Sequence, residues 1–172
     1  MAINQPCFVK FRVSNPQTLD GLARVVDALK SEKSDRSPRS EEEWRQMFSQ
    51  EALATFWAPT AEELAQWDKY WFSTPLPKRH SPEMPMPPWH FGSLIEMIVE
   101  QADYDLIGVR VLDGDDAALE FDPHGYPYGG TEALRVLIRA FGHEIVGADD
   151  GTGYEPGDPA PPRWTPSLDV EQ

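Results

Sequence analysis

Apolar and polar residues alternate near the start of the chain and predict its first strand. Over Cys7–Val13 the odd-numbered positions are apolar, whereas Lys10 and Arg12 stand on the opposite side together with Phe8. A two-residue period of this kind predicts a half-buried β-strand, with one face toward a core and the other toward solvent.

The next stretch has the period of a helix. Asn15 followed by Pro16 predicts a helix N-terminus, because proline suits the first helical position. The helix is expected to run to about Lys30, where the pattern of apolar residues ends. Its buried stripe is predicted to contain Leu19, Leu22, Val26 and Leu29.

Residues 31–91 are predicted to form an insertion that begins with a solvated linker up to Arg39. Ser40 with Glu43, and Thr60 with Glu63, have the spacing of capping boxes and predict two helices. Their apolar side chains are Trp44, Met47, Phe48, Phe56 and Trp57 in the first, and Leu64, Trp67 and Trp71 in the second. Residues 73–91 contain six prolines, which favours an extended connection anchored by Trp89 and Phe91 over a helix or a central strand.

The second half of the chain predicts a helix, a hairpin, a helix and a strand. Ser93 with Glu96 is spaced as another capping box. Alternation at Ile107, Val109 and Val111, a turn over residues 113–116 and a return over 117–121 predict a β-hairpin. Thr131 is expected to cap a helix that ends at Gly142 and is buried through Leu134, Leu137, Ile138 and Phe141. The last strand is predicted over His143–Ala148.

With the insertion set aside, this order predicts an α+β fold. It follows the split βαββαβ pattern of a ferredoxin-like sheet, mainly antiparallel, with its helices on one face. Residues 1–150 are expected to form one domain. Residues 151–172 are rich in Pro, Gly and acids, and they predict a loosely held tail that is dispensable for folding.

Charge is distributed unevenly between the two halves of the chain. The 172 residues carry a net charge of −14, of which residues 1–91 contribute −1 and residues 92–172 contribute −13. Such a negative field repels nucleic acid and anionic lipid and attracts a basic partner. The single cysteine, Cys7, and the lack of a signal-like or membrane-spanning apolar stretch favour a cytoplasmic protein.

Candidate catalytic and ligand-binding motifs are sparse, so we expect neither a cofactor nor a metal site. The histidines lack metal-ligand spacing, although Asp122 and His124 could share a face of an extended segment. Cys7 is expected to be an inert buried thiol. Gly129-Gly130-Thr131 could hold an anion at a helix start, but a tight turn explains it more simply.

Two groups of residues suggest an interaction surface. The first, which we name the acidic strip, adjoins an aromatic loop that contains His124, Tyr126 and Tyr128. Carboxylates beside exposed tyrosines are typical of an interface for a basic protein. The acidic strip comprises Asp103, Asp105, Asp113, Asp115, Asp116, Glu120 and Asp122. The second group is the aromatic-rich segment 44–91, which is core or, alternatively, a recognition surface.

In size, acidity and α+β pattern, the chain resembles the immunity proteins of bacterial toxin systems. That resemblance implies a non-catalytic inhibitor that binds and occludes a toxin. The acidic strip with His124, Tyr126 and Tyr128 would then contact a basic toxin cleft. A nucleic-acid mimic that inhibits a DNA-binding protein is one alternative. A small hydrolase-type enzyme with a site around Asp122, His124 and His143 is another.

Overall fold

A computed structural model describes residues 6–35, 38–124 and 130–166. These residues form the predicted α+β fold, built on an antiparallel sheet of five strands, one more than predicted. The strands are β1 (Cys7–Arg12), β2 (Tyr104–Val111), β3 (Asp116–Pro123), β4 (Glu144–Asp149) and β5 (Tyr154–Pro156). Their order across the sheet is β2-β3-β1-β4-β5.

One face of the sheet carries the hydrophobic core. The central strand β1 contributes Val9 and Phe11, both fully buried, and Cys7 beside them. Leu119 lies opposite Val9 on β3, and Ala148 lies opposite Val9 on β4, so the apolar side chains of three strands share this face. The register explains the alternation of β1, because Phe8, Lys10 and Arg12 then lie on the opposite face, which we name the open face.

Helices α1 (Pro16–Asp35) and α7 (Glu132–Ala140) bury apolar stripes in this core. In α1 the stripe follows the predicted period, and its buried apolar residues are Leu22, Val25, Val26, Ala28 and Leu29. The helix extends five residues beyond the predicted end at Lys30, because Glu32 is also buried and accepts the backbone N–H of Arg39. In α7, Leu134, Leu137 and Ile138 are fully buried, and Gly142 ends the helix with a φ of 84°.

Among its described residues, the insertion contains four helices of its own rather than two. They are α2 (Glu41–Gln46), α3 (Gln50–Leu53), α4 (Ala61–Ser73) and α5 (Leu76–Arg79). The Ser40–Glu43 capping box is confirmed, and Trp44 is buried. The expectation that residues 73–91 contain no helix is wrong for α5, because prolines at its start occupy first-turn positions, where the missing N–H costs nothing.

Two predicted helix caps, at Ser93 and at Thr131, are wrong. Helix α6 (Phe91–Glu96) begins two residues before Ser93, with His90 at its N-cap, and it continues as a π-helical segment, Met97–Gln101. Ser93 with Glu96 is therefore not a capping box, because burial of Phe91 in the core draws the helix start forward. Thr131 occupies the N-cap position of α7 but makes no cap, since its hydroxyl accepts a hydrogen bond from Arg135 Nε at 2.8 Å.

The predicted loosely held tail is wrong for residues 154–164. Strand β5 pairs with β4, and Asp158 accepts hydrogen bonds from Arg139 and from the buried Arg135 of α7. Trp164 is buried among aromatic rings of the insertion, with its ring centroid 5.2 Å from that of Trp67. The small number of apolar residues in this segment predicted that it would not dock on the fold. It does dock, because Arg135 and Arg139 bind Asp158 and the Trp164 indole is buried.

Among the described residues, no helix combines the length and apolar character needed to cross a membrane.

Candidate functional site

The hairpin register divides the acidic strip between opposite ends of the sheet. Asp105 lies opposite Asp122 near one end, and Val111 lies opposite Ala117 near the other. With a rise of about 3.3 Å per residue, roughly 20 Å separate these two pairs. Asp103, Asp105, Asp122 and His124 therefore share one end, whereas the turn carboxylates Asp113, Asp115 and Asp116 belong to the other.

At the first end, two exposed carboxylates face each other across the strands. Asp105 and Asp122 are direct cross-strand partners on the open face, and like charges in that position oppose pairing. His124 partly offsets the repulsion, because its Nε2 lies 2.7 Å from Asp105 and its Nδ1 lies 3.3 Å from Asp103. The backbone N–H of His124 also donates to the carbonyl of Asp103 at 3.0 Å.

The end of strand β4 adds two further carboxylates. Asp149 lies opposite Phe8, and Asp150 is the next residue along the chain. The pKa of the Cys7 thiol is raised by burial and then by the charges of Asp149, Asp150 and Asp122, which shows that these charges act on the same place. We name this group the acidic end: Asp103, Asp105, Asp122, Asp149 and Asp150.

His124 makes the charge of the acidic end depend on pH. Its pKa is raised, first by the hydrogen bond to Asp105 and then by the charge of Asp105, with a smaller contribution from Asp103. The protonated ring therefore persists above the ordinary histidine pKa and neutralises part of the carboxylate charge. As pH rises through the raised pKa, that proton is lost and the acidic end becomes more negative.

An aromatic pair adjoins the acidic end on the open face. Phe8 and Tyr154 stack with ring centroids 6.0 Å apart, and Tyr154 is 47% exposed. The Tyr154 ring lies over Gly147, where an added Cβ would come within 2.6 Å of Tyr154 Cζ and 2.7 Å of the Glu155 carbonyl oxygen. Glycine at position 147 is thus what allows the ring to lie against the sheet.

Outside the acidic end, Asp116 and Glu120 have basic partners, whereas Asp113 and Asp115 have none among the described residues. Asp116 lies 3.6 Å from Lys10 Nζ and 3.9 Å from Arg12 Nε. Asp113 and Asp115 are exposed in the turn. Glu120, in the middle of β3, is buried and accepts a hydrogen bond from Arg110 Nε at 3.1 Å, so its charge is satisfied within the chain.

Tyr126 and Tyr128, predicted to supply aromatic contact area, lie outside the described residues.

The proposed enzyme site is not assembled. His143 precedes β4 at the Arg12 end of the sheet, whereas Asp122 and His124 lie at the Cys7 end. His143 is only 4% exposed, and its Nδ1 accepts the backbone N–H of Ser14 at 3.2 Å. Burial lowers the pKa of His143, although a hydrogen bond with Thr18 opposes this effect. His143 therefore has a structural role, as a buried neutral ring packed 5.2 Å from that of Phe11.

The geometry also bears on metal and anion binding. Over residues 6–35, 38–124 and 130–166, no group of three or more His, Cys, Asp or Glu side chains is placed to hold a metal ion. Of the predicted Gly129-Gly130-Thr131 anion site, Gly129 lies outside the described residues. The Thr131 hydroxyl is already occupied by Arg135.

A groove of about 760 Å³ lies between the end of α1 and the α6 region. Its charged lining residues include Glu32, Lys33 and Arg39, which already have partners within the chain. Lys33 Nζ donates to the carbonyls of Ile98 and Ala102 at 2.6 and 3.1 Å, and Glu32 accepts the N–H of Arg39. Lys33 thus satisfies carbonyls at the end of the π-helical segment, and the contacts of these three residues stabilise the fold.

Sequence reasoning missed Phe8, Asp149, Asp150 and Tyr154 as members of the site. Two signals were present. A phenylalanine on the polar side of a predicted strand marks an apolar group with no place in the core. Adjacent aspartates directly after the last strand mark carboxylates at the same edge as the end of β3.

No protein-family model, no curated protein and no solved structure matches the chain.

Proposed function

We propose that this chain is a non-catalytic acidic binding protein that neutralises a bacterial toxin by occupying a basic cleft of it. The acidic end is the proposed contact, with Phe8 and Tyr154 beside it. The fold is proposed to be a split βαββαβ ferredoxin-like sheet, because the order β2-β3-β1-β4 with antiparallel neighbours fits that pattern. Strand β5 extends this sheet at one edge.

The cross-strand pair of Asp105 and Asp122 is the observation that carries the proposal. A like-charged cross-strand pair near the end of two hydrogen-bonded strands costs folding free energy and contributes nothing to the core. A lysine or arginine of a partner placed between the two carboxylates would remove that repulsion on binding. Binding would then recover free energy that the free protein lacks.

The neighbouring groups fit the same role. Asp103, Asp149 and Asp150 extend the negative field, which speeds the encounter with a basic surface. Tyr154 offers an exposed ring that a partner can desolvate, and tyrosine is enriched among the residues that dominate binding free energy. Occlusion of a cleft needs shape and charge alone, so this function requires no catalytic group.

The test is co-expression with the product of the adjacent gene in the native genome. The proposal predicts that this product arrests growth when expressed alone, and that the present chain restores growth and co-purifies with it. Asp105→Asn combined with Asp122→Asn should reduce the rescue, whereas Asp113→Asn with Asp115→Asn is the matched control at the other end. A toxin neutralised equally well by both variants would contradict the assigned surface, and absence of a complex would contradict the function.

A further inference from the structure

Two exposed apolar patches remain that the proposed function does not use, and their charges are opposite. The first, which we name the helix patch, lies where α4 meets α5. Phe72 is 72% exposed and Leu76 is 61% exposed. Lys69 is one helical turn before Phe72, and the Arg79 guanidinium lies 5.8 Å from the Phe72 ring centroid. Lys78 completes the patch on α5.

The helix patch is locally basic in a strongly acidic protein. Residues 64–79 contain three bases and one acid, Asp68, whereas the whole chain has a net charge of −14. Within the described part of the chain, Lys69, Lys78 and Arg79 form no ion pair. Helix α4 also buries none of its own side chains completely. The ammonium groups of Lys69 and Lys78 and the exposed Phe72 ring are therefore available to another molecule, whereas the Arg79 guanidinium donates to the carbonyls of Thr74 and Phe72.

The second patch, which we name the hairpin patch, combines apolar and acidic groups. Val111 is 65% exposed at the end of β2, and Asp113 and Asp115 are exposed in the turn that follows it. Neither carboxylate forms an ion pair among the described residues. Strand β2 is an edge of the sheet, so its outer side has no neighbouring strand in the described fold, and Ile107 is exposed along it.

We propose that the helix patch of one molecule docks on the hairpin patch of a second copy of this chain. Phe72 and Leu76 would cover Val111 and Ile107, while Lys69 and Lys78 would pair with Asp113 and Asp115. A second copy is the occupant because both halves of the contact, matched in charge and in apolar character, are present on the same chain. The contact uses neither the acidic end nor the Phe8–Tyr154 pair, so each copy keeps its toxin-binding surface open.

The geometry of this contact has a consequence for assembly. The two surfaces differ, but each copy carries both, so two copies can join through a pair of equivalent contacts in a symmetric dimer or through a single head-to-tail contact. In the head-to-tail case each bound copy still offers one unused patch, and assembly continues into a chain or closes into a ring. Because two copies of net charge −14 also repel each other, the association is weak and depends on concentration. At about 0.15 M salt the Debye length is about 8 Å, so distant repulsion is screened while charges in contact still attract.

Sedimentation velocity over a range of concentrations tests the proposal. The wild-type chain is expected to exceed its monomer mass of 19.4 kDa as concentration rises. Lys69→Glu with Lys78→Glu should remain monomeric, as should Asp113→Lys with Asp115→Lys, because each variant places like charges in the contact. An equal mixture of the two charge-reversed variants should associate again, because every contact between them now joins opposite charges. Near-ultraviolet circular dichroism verifies that each variant is folded.

Two control variants make the outcome specific. Phe72→Ser should also abolish association, because it removes the apolar part of the contact. Asp105→Asn with Asp122→Asn should associate as the wild type does, which separates this proposal from the toxin-binding one. A wild-type chain that stays at 19.4 kDa at every concentration overturns the proposal. So does a mixture of the charge-reversed variants that remains monomeric.

Discussion

At the hairpin end of the sheet a strand carboxylate lies beside two bases, whereas at the acidic end two carboxylates face each other across the strands. Asp116 lies between Lys10 and Arg12, and buried His143 accepts the N–H of Ser14. At the acidic end, Asp105 faces Asp122. The strand charges of the hairpin end therefore favour pairing, while the acidic end retains a repulsion that His124 only partly offsets.

Asp149 and Asp150 strengthen the contrast between the two ends. Their hydrogen bonds are made within their own loop, to the backbone N–H groups of Gly151, Thr152 and Gly153 and to the Thr152 hydroxyl. Such bonds hold the carboxylates in place and lower the pKa of Asp150, so its charge is retained to lower pH. The acidic end is thus both ordered and negative, which suits a surface that must attract a basic partner.

The largest expected effect comes from ending the chain after Asp150, directly beyond the acidic end. This truncation removes β5 with Tyr154, the Asp158 carboxylate that holds Arg135, and the buried Trp164. Loss of a buried tryptophan alone costs about 3 kcal/mol or more in the free energy of unfolding. Urea denaturation should therefore show a large loss of stability. An unchanged unfolding midpoint would show that residues beyond 150 are dispensable.

A matched pair of histidine variants compares the ends directly. His143→Ala should lower the free energy of unfolding by about 2–3 kcal/mol, because it removes a buried ring and leaves the N–H of Ser14 without its acceptor. His124→Ala should lower the melting temperature much less, since that side chain is half exposed and its ion pairs are screened by solvent. Thermal unfolding of both variants measures the contrast. Equal losses in the two variants would contradict the assignment of His143 as structural and His124 as surface.

The same two histidines should give opposite pH dependences of stability. The pKa of His143 is lowered in the folded protein, so the unfolded chain takes up a proton there more readily. The protein therefore loses stability as pH falls below the ordinary histidine pKa of about 6.5. The pKa of His124 is raised, so its ion pairs stabilise the fold below that value and are lost as pH rises through the raised pKa. Urea unfolding between about pH 5 and about pH 8 measures both effects.

Glutamine variants assign these pH effects to their residues. His143→Gln should flatten the loss of stability at low pH, whereas His124→Gln should deepen it. A His143→Gln variant with the wild-type pH profile would show that another group is responsible for the loss at low pH.

The main elements of the fold could be predicted from periodicity and caps. The alternation of β1 and the stripe of α1 are both set by a large core, which imposes its period on the sequence. Strand β5 could not be predicted in this way, because its three residues are all exposed and pair through the backbone alone. Docking of Trp164 likewise depends on contacts between distant parts of the chain, which no local pattern reveals.

For the site, part of the information was present in the hairpin prediction itself. Asp105 and Asp113 are close in sequence, but a hairpin places them at opposite ends, whereas Asp105 and the more distant Asp122 become neighbours. Asp149 joins them only through the position of β4 beside β1, which is a property of the sheet order. Single residues were therefore predictable, but their grouping into one surface required the topology.

The smallest expected effect on stability is that of removing the cross-strand repulsion. Asp105→Asn with Asp122→Asn should leave the free energy of unfolding unchanged or raise it by about 0.5 kcal/mol, because like charges directly opposite each other are destabilising. Asp113→Asn with Asp115→Asn is the matched change in the turn. Urea denaturation compares the two, and a clear loss of stability in the first variant would show that these carboxylates support the fold.

The most direct test of the central claim is the rate at which these two variants associate with the product of the adjacent gene, the proposed toxin. Surface-capture kinetics at low and high salt would compare Asp105→Asn with Asp122→Asn against the turn variant. The acidic end, as assigned here, predicts slower association for the first variant, with the difference shrinking as salt rises, and little change for the turn variant. Equal association rates in the wild type and the Asp105–Asp122 variant at low salt would contradict the claim that the acidic end is the binding surface.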